Sequence, residues 1–219
     1  TSAVTPSNIN VVVDYLRESS FQIQENVVYK VSDGYYASTS LATKSIVISG
    51  PQTEISKIDK VSATAEINGT LTDSSTTDAE IVLYDSSGNE LSTDLLTMDF
   101  DKVKATVSVL PEKTVSVKPT FTNKPSGLEI TDDMISVEPS TILLAGNKDI
   151  LEKTDSVNLE AIDFSNLKNE KITFDALGID IPTDCKNISN STTAKVTLDL
   201  SGFTTKKFTV DNFTVKGLS

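Results

Sequence analysis

The chain has 219 residues, a formal net charge of −12, no histidine, no tryptophan and a single cysteine, Cys185. That acidity argues against nucleic acid and anionic membrane surfaces as direct partners, and the residue counts exclude a Ser-His-Asp triad, an internal disulfide and a Cys/His zinc cluster. Hydrophobic residues make up 37% of the chain, which suits two modest cores better than one large one.

Strand signals begin at Val11-Val-Val-Asp-Tyr15 and Phe21-Gln-Ile23 and recur to the end of the chain. Alternation with period two, rich in β-branched residues, is the pattern of half-buried strands. It is plain in Val107-Ser-Val109, Val115-Ser-Val117, Lys195-Val-Thr-Leu-Asp-Leu200 and Phe208-Thr-Val210. The expected fold class is all-β. The two short stretches after Gly50 and Gly146 are the best helix candidates.

The chain also repeats itself. Asp33-Gly-Tyr35 pairs with Ser126-Gly-Leu128, and Ser45-Ile-Val-Ile-Ser-Gly-Pro51 with Thr141-Ile-Leu-Leu-Ala-Gly-Asn147. Lys57, Asp59 and Val61 then meet Lys153, Asp155 and Val157 at the spacing that separates Gly50 from Gly146. Further on, Ala65-Glu-Ile67 matches Glu160-Ala-Ile162, and Glu80-Ile-Val-Leu-Tyr-Asp85 matches Lys171-Ile-Thr-Phe-Asp175. Three similar strand junctions flank these two bodies, as in a piece of a longer array. The expected division is residues 1–17 as the end of a preceding repeat, 18–111 and 112–204 as two β domains, and 205–219 as the start of a following repeat. Leu110-Pro-Glu-Lys113 and Ser201-Gly-Phe-Thr-Thr205 read as short linkers, with Pro111 marking a strand break.

Few residues carry chemistry. Ser56-Lys57, and Ser156 near Lys153, are the available Ser-Lys neighbours, but a chain rich in serine supplies such pairs by chance. Carboxyl pairs for glycoside hydrolysis exist by number alone, and the adjacent aromatics Tyr35 and Tyr36 are expected to face opposite sides of a strand. Asp85-Ser-Ser-Gly-Asn-Glu90 faintly resembles a calcium loop but lacks the ligand spacing, and a tight turn at Gly88 explains it better. Asp132-Asp133 reads as a polar loop. Cys185 lies beside Lys186, which could lower its pKa, although an inert thiol at a strand edge is the simpler reading. Four N-x-[ST] matches start at Asn68, Asn187, Asn190 and Asn212, as chance allows. Arg17 and Lys206-Lys207 are too sparse for a phosphate groove. No catalytic, cofactor-binding or metal-binding residue is assigned, and no cofactor is expected.

The repeated elements resemble the YbbR-like repeat family. A glycine turn (Gly34, Gly127) leads through Ser136-Val-Glu-Pro139 into Thr141-Ile-Leu-Leu-Ala-Gly146. A segment with Ile55, Ile58 and Val61, or Leu151 and Val157, follows, and a strand closes on Asp163-Phe-Ser-Asn-Leu167. The second copy fits better, since the first lacks the Glu-Pro pair and has Asn68-Gly-Thr70 where the acidic turn belongs. The resemblance implies compact twisted β units, partly open and barrel-like, carried outside the cytoplasmic membrane of a bacterium by an amino-terminal anchor absent from this chain. It also implies a non-enzymatic, protein-binding role, with a membrane diadenylate cyclase, the source of cyclic di-AMP, as the regulated partner. The alternative is a structural Ig-like stalk or adhesin segment of a surface protein.

Overall fold

The computed structural model describes residues 13–168 and 170–203. Within it the chain divides into two compact units, Thr1–Leu110 and Pro111–Ser219. The expected all-β class is observed.

The first unit contains β1 (Leu16–Val31), β2 (Tyr35–Leu41), β3 (Ser45–Pro51), the one-turn helix α1 (Gln52–Ile55), β4 (Lys60–Leu71), β5 (Ser75–Tyr84), β6 (Thr97–Met98) and the start of β7 (Lys102–Lys118). Strand β1 changes partner along its length. Leu16–Gln22 runs antiparallel to β3, and Ile23 onward runs parallel to β4. Strand β5 lies between β4 and β7, antiparallel to both. The path β2–β7–β5–β4–β1–β3–β6 is open at both ends among the described residues. Alternation fixes which face turns inward: Ile46, Ile48 and Gly50 of β3 are buried while their neighbours are not. With Val61, Ala63, Leu83 and Val103 these isoleucines form the first core.

The second unit continues from β7 through β8 (Phe121–Thr122), β9 (Ile135–Glu138), β10 (Thr141–Gly146), helix α2 (Lys148–Lys153), β11 (Ser156–Asn158), β12 (Ile162–Asp163), a single 3₁₀ turn at Phe164–Asn166, β13 (Lys171–Gly178), β14 (Cys185–Asn187) and β15 (Thr193–Asp199). The later half of β7 now does what β1 does in the first unit. It runs antiparallel to β10 through Glu112–Ser116 and parallel to β11 through Ser116–Lys118. Strands β13, β15 and β9 form a separate antiparallel sheet. Val115, Ile142, Leu144, Leu151, Val196 and Leu198 form the second core.

The repeated sequence signals occupy equivalent places. Gly34 and Gly127 both sit at φ +82°, each in a turn closed by a backbone hydrogen bond, Tyr35 N–H to the Ser32 carbonyl and Leu128 N–H to that of Pro125. Ile55 of α1 and Leu151 of α2 are the buried residues of their helices. Gly50 and Gly146 are required by close approach. A Cβ on Gly50 would lie 2.8 Å from the Leu95 carbonyl oxygen, and one on Gly146 would lie 2.6 Å from that of Asp184. In each unit a short strand, β6 or β14, pairs antiparallel with the glycine-bearing strand, and the residues at its start come close to the glycine.

Three expectations are corrected. Leu110–Lys113 is no linker, because β7 runs through it. Pro111 falls after Val107, the last β7 residue paired with β5, and before Glu112, the first paired with β10, so neither of these two ladders loses a donor to it. The match of Glu80–Asp85 to Lys171–Asp175 is out of register. Leu159 bridges Ile179 where Ala63 pairs with Ile81, so Ile81 corresponds to Ile179. Likewise Ile162 opposes Phe121 as Ala65 opposes Val27, so Ile162 answers to Ala65 and not to Ile67. Alternating apolar strands look alike at any even offset, and only the partner strand fixes the register. The strand expected at Phe208-Thr-Val210, most of segment 1–17 and all of segment 205–219 lie outside the described residues.

Candidate functional site

The Ser-Lys neighbours are not assembled into a nucleophile. The Ser56 hydroxyl donates to the Gln52 carbonyl at 2.7 Å, and Lys57 Nζ sits 2.8 Å from both Glu54 carboxylate oxygens. Each group serves the end of α1 instead of the other. Among the described residues no hydrogen bond joins Ser156 to Lys153.

The acidic loop after β5 is a turn built around one carboxylate. Asp85 accepts from the backbone N–H groups of Ser87 and Asn89 at 2.9 and 2.8 Å and from Asn89 Nδ2 at 3.1 Å. Gly88 takes the left-handed conformation at φ +82°. These donors, Asn89 foremost, hold the Asp85 carboxyl below its usual value. Its oxygens are therefore engaged by the loop itself. No group of three or more acidic or cysteine side chains converges as a metal site among the described residues.

Cys185 lies half-buried in β14, with Sγ 2.8 Å from where a Cβ on Gly146 would stand. Burial, and then the charge of Asp184, push its thiol upward, which favours the inert protonated form. Asn187 is used structurally: its side chain accepts from Ser189 N–H and donates to the Ser191 carbonyl. Arg17 stands opposite Gly50 in the β1–β3 ladder, and Asn68, Asp132, Asp133 and Asn190 are exposed. Tyr35 and Tyr36 are both half-buried, not one in and one out, because β2 is a terminal strand partly covered on both faces. Lys206, Lys207 and Asn212 lie outside the described residues.

The surface grooves among the described residues include the following two. One, of about 390 Å³, runs beside β5 and is lined by Glu80, Glu90, Leu91, Met98, Asp101 and Lys102. Its lysine is held by Glu80 at 3.2 Å, which raises the Lys102 pKa. The other, of about 330 Å³, is lined by Asp133, Met134, Asp199, Ser201, Gly202 and Phe203, with Asp199 accepting from the Ser201 backbone and hydroxyl. Neither brings a nucleophile to a base.

An unforeseen arrangement is the Lys113 pin. Lys113 Nζ donates to the Leu151 carbonyl at the end of α2 and to Asp155 Oδ1, at 2.9 and 2.8 Å. The lysine's hydrogen bond, and then its charge, hold the Asp155 carboxyl low. The repeated Asp of the sequence motif was visible beforehand, but Lys113 comes from another strand and carries no local signal.

The YbbR-like protein family profile matches residues 21–111 and 114–198. A search of curated proteins found no match. Among solved structures, the crystal structure of a YbbR-like protein from Streptococcus pneumoniae TIGR4 is 16% identical, with a TM-score of 0.39, over 86% of this chain and 98% of that one. The solution structure of SuR18C from Streptococcus thermophilus is 16% identical, with a TM-score of 0.34, over 47% of this chain and 91% of that one. The profile takes in the body of both units, and the chain belongs to the YbbR-like protein family.

Proposed function

We propose that this chain is a non-catalytic, extracytoplasmic protein-binding module that regulates a membrane diadenylate cyclase and so the supply of cyclic di-AMP. The observation that carries this reading is the family match over both repeats, joined to the role that the resemblance implies for YbbR-like proteins. The carboxyls of Asp14, Asp85, Asp155, Asp163 and Asp199 are all displaced downward from their ordinary value. In each the leading cause is a hydrogen bond that organises a turn, a strand end or a helix end.

The test is cyclic di-AMP output in a host that lacks the nucleotide. The cyclase of the same organism is co-expressed with this chain joined to a single membrane-spanning anchor. The expected result is a reproducible change in output that disappears when both repeats are deleted. Unchanged output, with both proteins shown to be in the membrane, would contradict the proposal and leave a stalk role ahead.

A further inference from the structure

Strand β13 holds in the second repeat the place that the early half of β5 holds in the first, and over Lys171–Leu177, as over Ser75–Ala79 of β5, a strand is paired on one edge alone among the described residues. In the first repeat β5 is flanked by β4 through Glu80–Tyr84 and by β7 through Ser75–Glu80. In the second, β13 pairs with β15 from Lys171 to Gly178. On its other side the chain returns only at the Leu159–Ile179 bridge and the hydrogen bond from Glu160 N–H to the Gly178 carbonyl. Among the described residues no backbone partner lies along the outer side of Lys171–Leu177. An unpaired edge of this kind is a template for another strand.

The sequence on that edge selects the partner. Lys171-Ile-Thr-Phe-Asp175 is complementary to itself when reversed. Antiparallel pairing of two copies about Thr173 sets Lys171 opposite Asp175 and Ile172 opposite Phe174. Two-fold symmetry makes each pair occur twice. The faces agree with this register. Ile172 and Phe174 stand opposite Leu198 and Val196, on the core side of the sheet, while Lys171, Thr173 and Asp175 are exposed. Edge strands are commonly defended by a charge that repels a second copy. Here the central residue is threonine, and the flanking charges attract their counterparts in the second copy. The bulge in β13 takes in Asp175 and Ala176, so the regular part of the pairing is Ile172–Phe174, and Asp175, 3.6 Å from Lys195 of its own sheet, meets Lys171 of the second copy from the bulge.

We propose that β13 is a docking edge for a second copy of this chain, joining two three-stranded β13–β15–β9 sheets into one continuous antiparallel sheet. The contact is small, so the dimer is weak and dependent on concentration.

Sedimentation velocity over a concentration series, at low and high salt, tests the proposal on the whole chain. The native chain is expected to dimerise, and less so at high salt. Asp175→Lys, which sets lysine against lysine twice, is expected to raise the dimer dissociation constant about tenfold or more. The double exchange K171D/D175K is expected to recover it in part, because within one chain it also sets like charges against Asp199 and Lys195. Both positions are exposed, and circular dichroism checks that the fold is kept. Thr173→Cys in a Cys185→Ala background is expected to cross-link under mild oxidation, since directly opposed residues stand about 4.5–5.5 Å apart at Cβ. Thr197→Cys, on the same face but one strand further in, is expected not to. A chain that stays monomeric up to about 1 mM, or a dimer indifferent to both the charge reversal and the exchange, would overturn the proposal.

Discussion

In the first repeat one strand of 12 residues, β4, runs beside β1 and holds β5 through a ladder from Lys60 to Thr64. In the second the equivalent stretch is broken into β11 and β12, and the ladder to the next strand shrinks to the Leu159–Ile179 bridge. The cause is in the sequence. Pro119 ends β7 at Lys118, whereas β1 continues unbroken through Glu25 at the matching place. One extra residue then intrudes before Ile162 meets Phe121. What the second repeat lacks in ladder it replaces with side-chain anchors. Lys113 holds α2 and Asp155, Asn123 Nδ2 and Ser165 N–H bond Asp163, and the rings of Phe121 and Phe164 meet edge to face at 5.5 Å. Cross-strand ion pairs serve both copies, Asp78–Lys104 and Glu80–Lys102 between β5 and β7 and Asp175–Lys195 between β13 and β15. One topology is thus held in two ways, by ladder in one copy and by anchored loops in the other.

The largest effects belong to the cores, where the two copies should behave alike. Ile48→Ala and Leu144→Ala, both fully buried, are each expected to cost about 2–5 kcal/mol in urea denaturation. A markedly cheaper truncation in one copy would show that its core is not closed. The repeated glycines come next, and here the copies should differ. At Gly146 a Cβ meets two backbone atoms, the Asp184 carbonyl at 2.6 Å and Cys185 Cα at 2.8 Å, while at Gly50 it meets one that close, the Leu95 carbonyl at 2.8 Å, beside the movable Leu96 Cδ2. Gly146→Ala is therefore expected to cost about 1–3 kcal/mol and Gly50→Ala less. The reverse order would contradict the reading of β14 as the more rigid crossing. Lys104→Glu, which places two like charges opposite each other on the first repeat's surface, should cost under about 1 kcal/mol.

The smallest effect is a pH dependence specific to the second copy. The Asp155 carboxyl is lowered in the folded chain, mainly by its hydrogen bond to Lys113. Its stabilising contribution is present above the unfolded value and is lost as pH falls through the lowered folded value. Carboxyl NMR titration is expected to show Asp155 moving back up toward the ordinary carboxylate range in Lys113→Met. An unmoved titration would remove the pin from the account. In the first repeat the place of Lys113 is taken by Ser19, as the β1–β3 and β7–β10 registers require, so the lysine pin belongs to the second copy.

Much of this was legible in the chain. The glycines Gly34, Gly50, Gly127 and Gly146 marked turns and close crossings, and Asp85 with Gly88 marked a hairpin, because each signal is local. Partner and direction were not legible. Period-two alternation reports which face is buried but not which strand lies alongside, so the parallel β1–β4 and β7–β11 pairings left no trace. The same blindness misplaced Glu80–Asp85 against Lys171–Asp175. Pro111 misled because a proline stops a strand only where its missing N–H is needed. Among the candidate site residues, Ser56, Lys57 and Asp85 proved to serve their own turns, and Lys113 was invisible because its partners lie on distant segments.

Amide hydrogen exchange on Leu144→Ala tests most directly whether the chain holds two separately cored copies of one topology. Strand β7 passes through both, its early residues packed in one core and its later ones in the other. The account predicts faster exchange at Thr114–Val117 and Ile142–Ala145, with Val103–Val107 still protected. Equal loss of protection along all of β7 would contradict it.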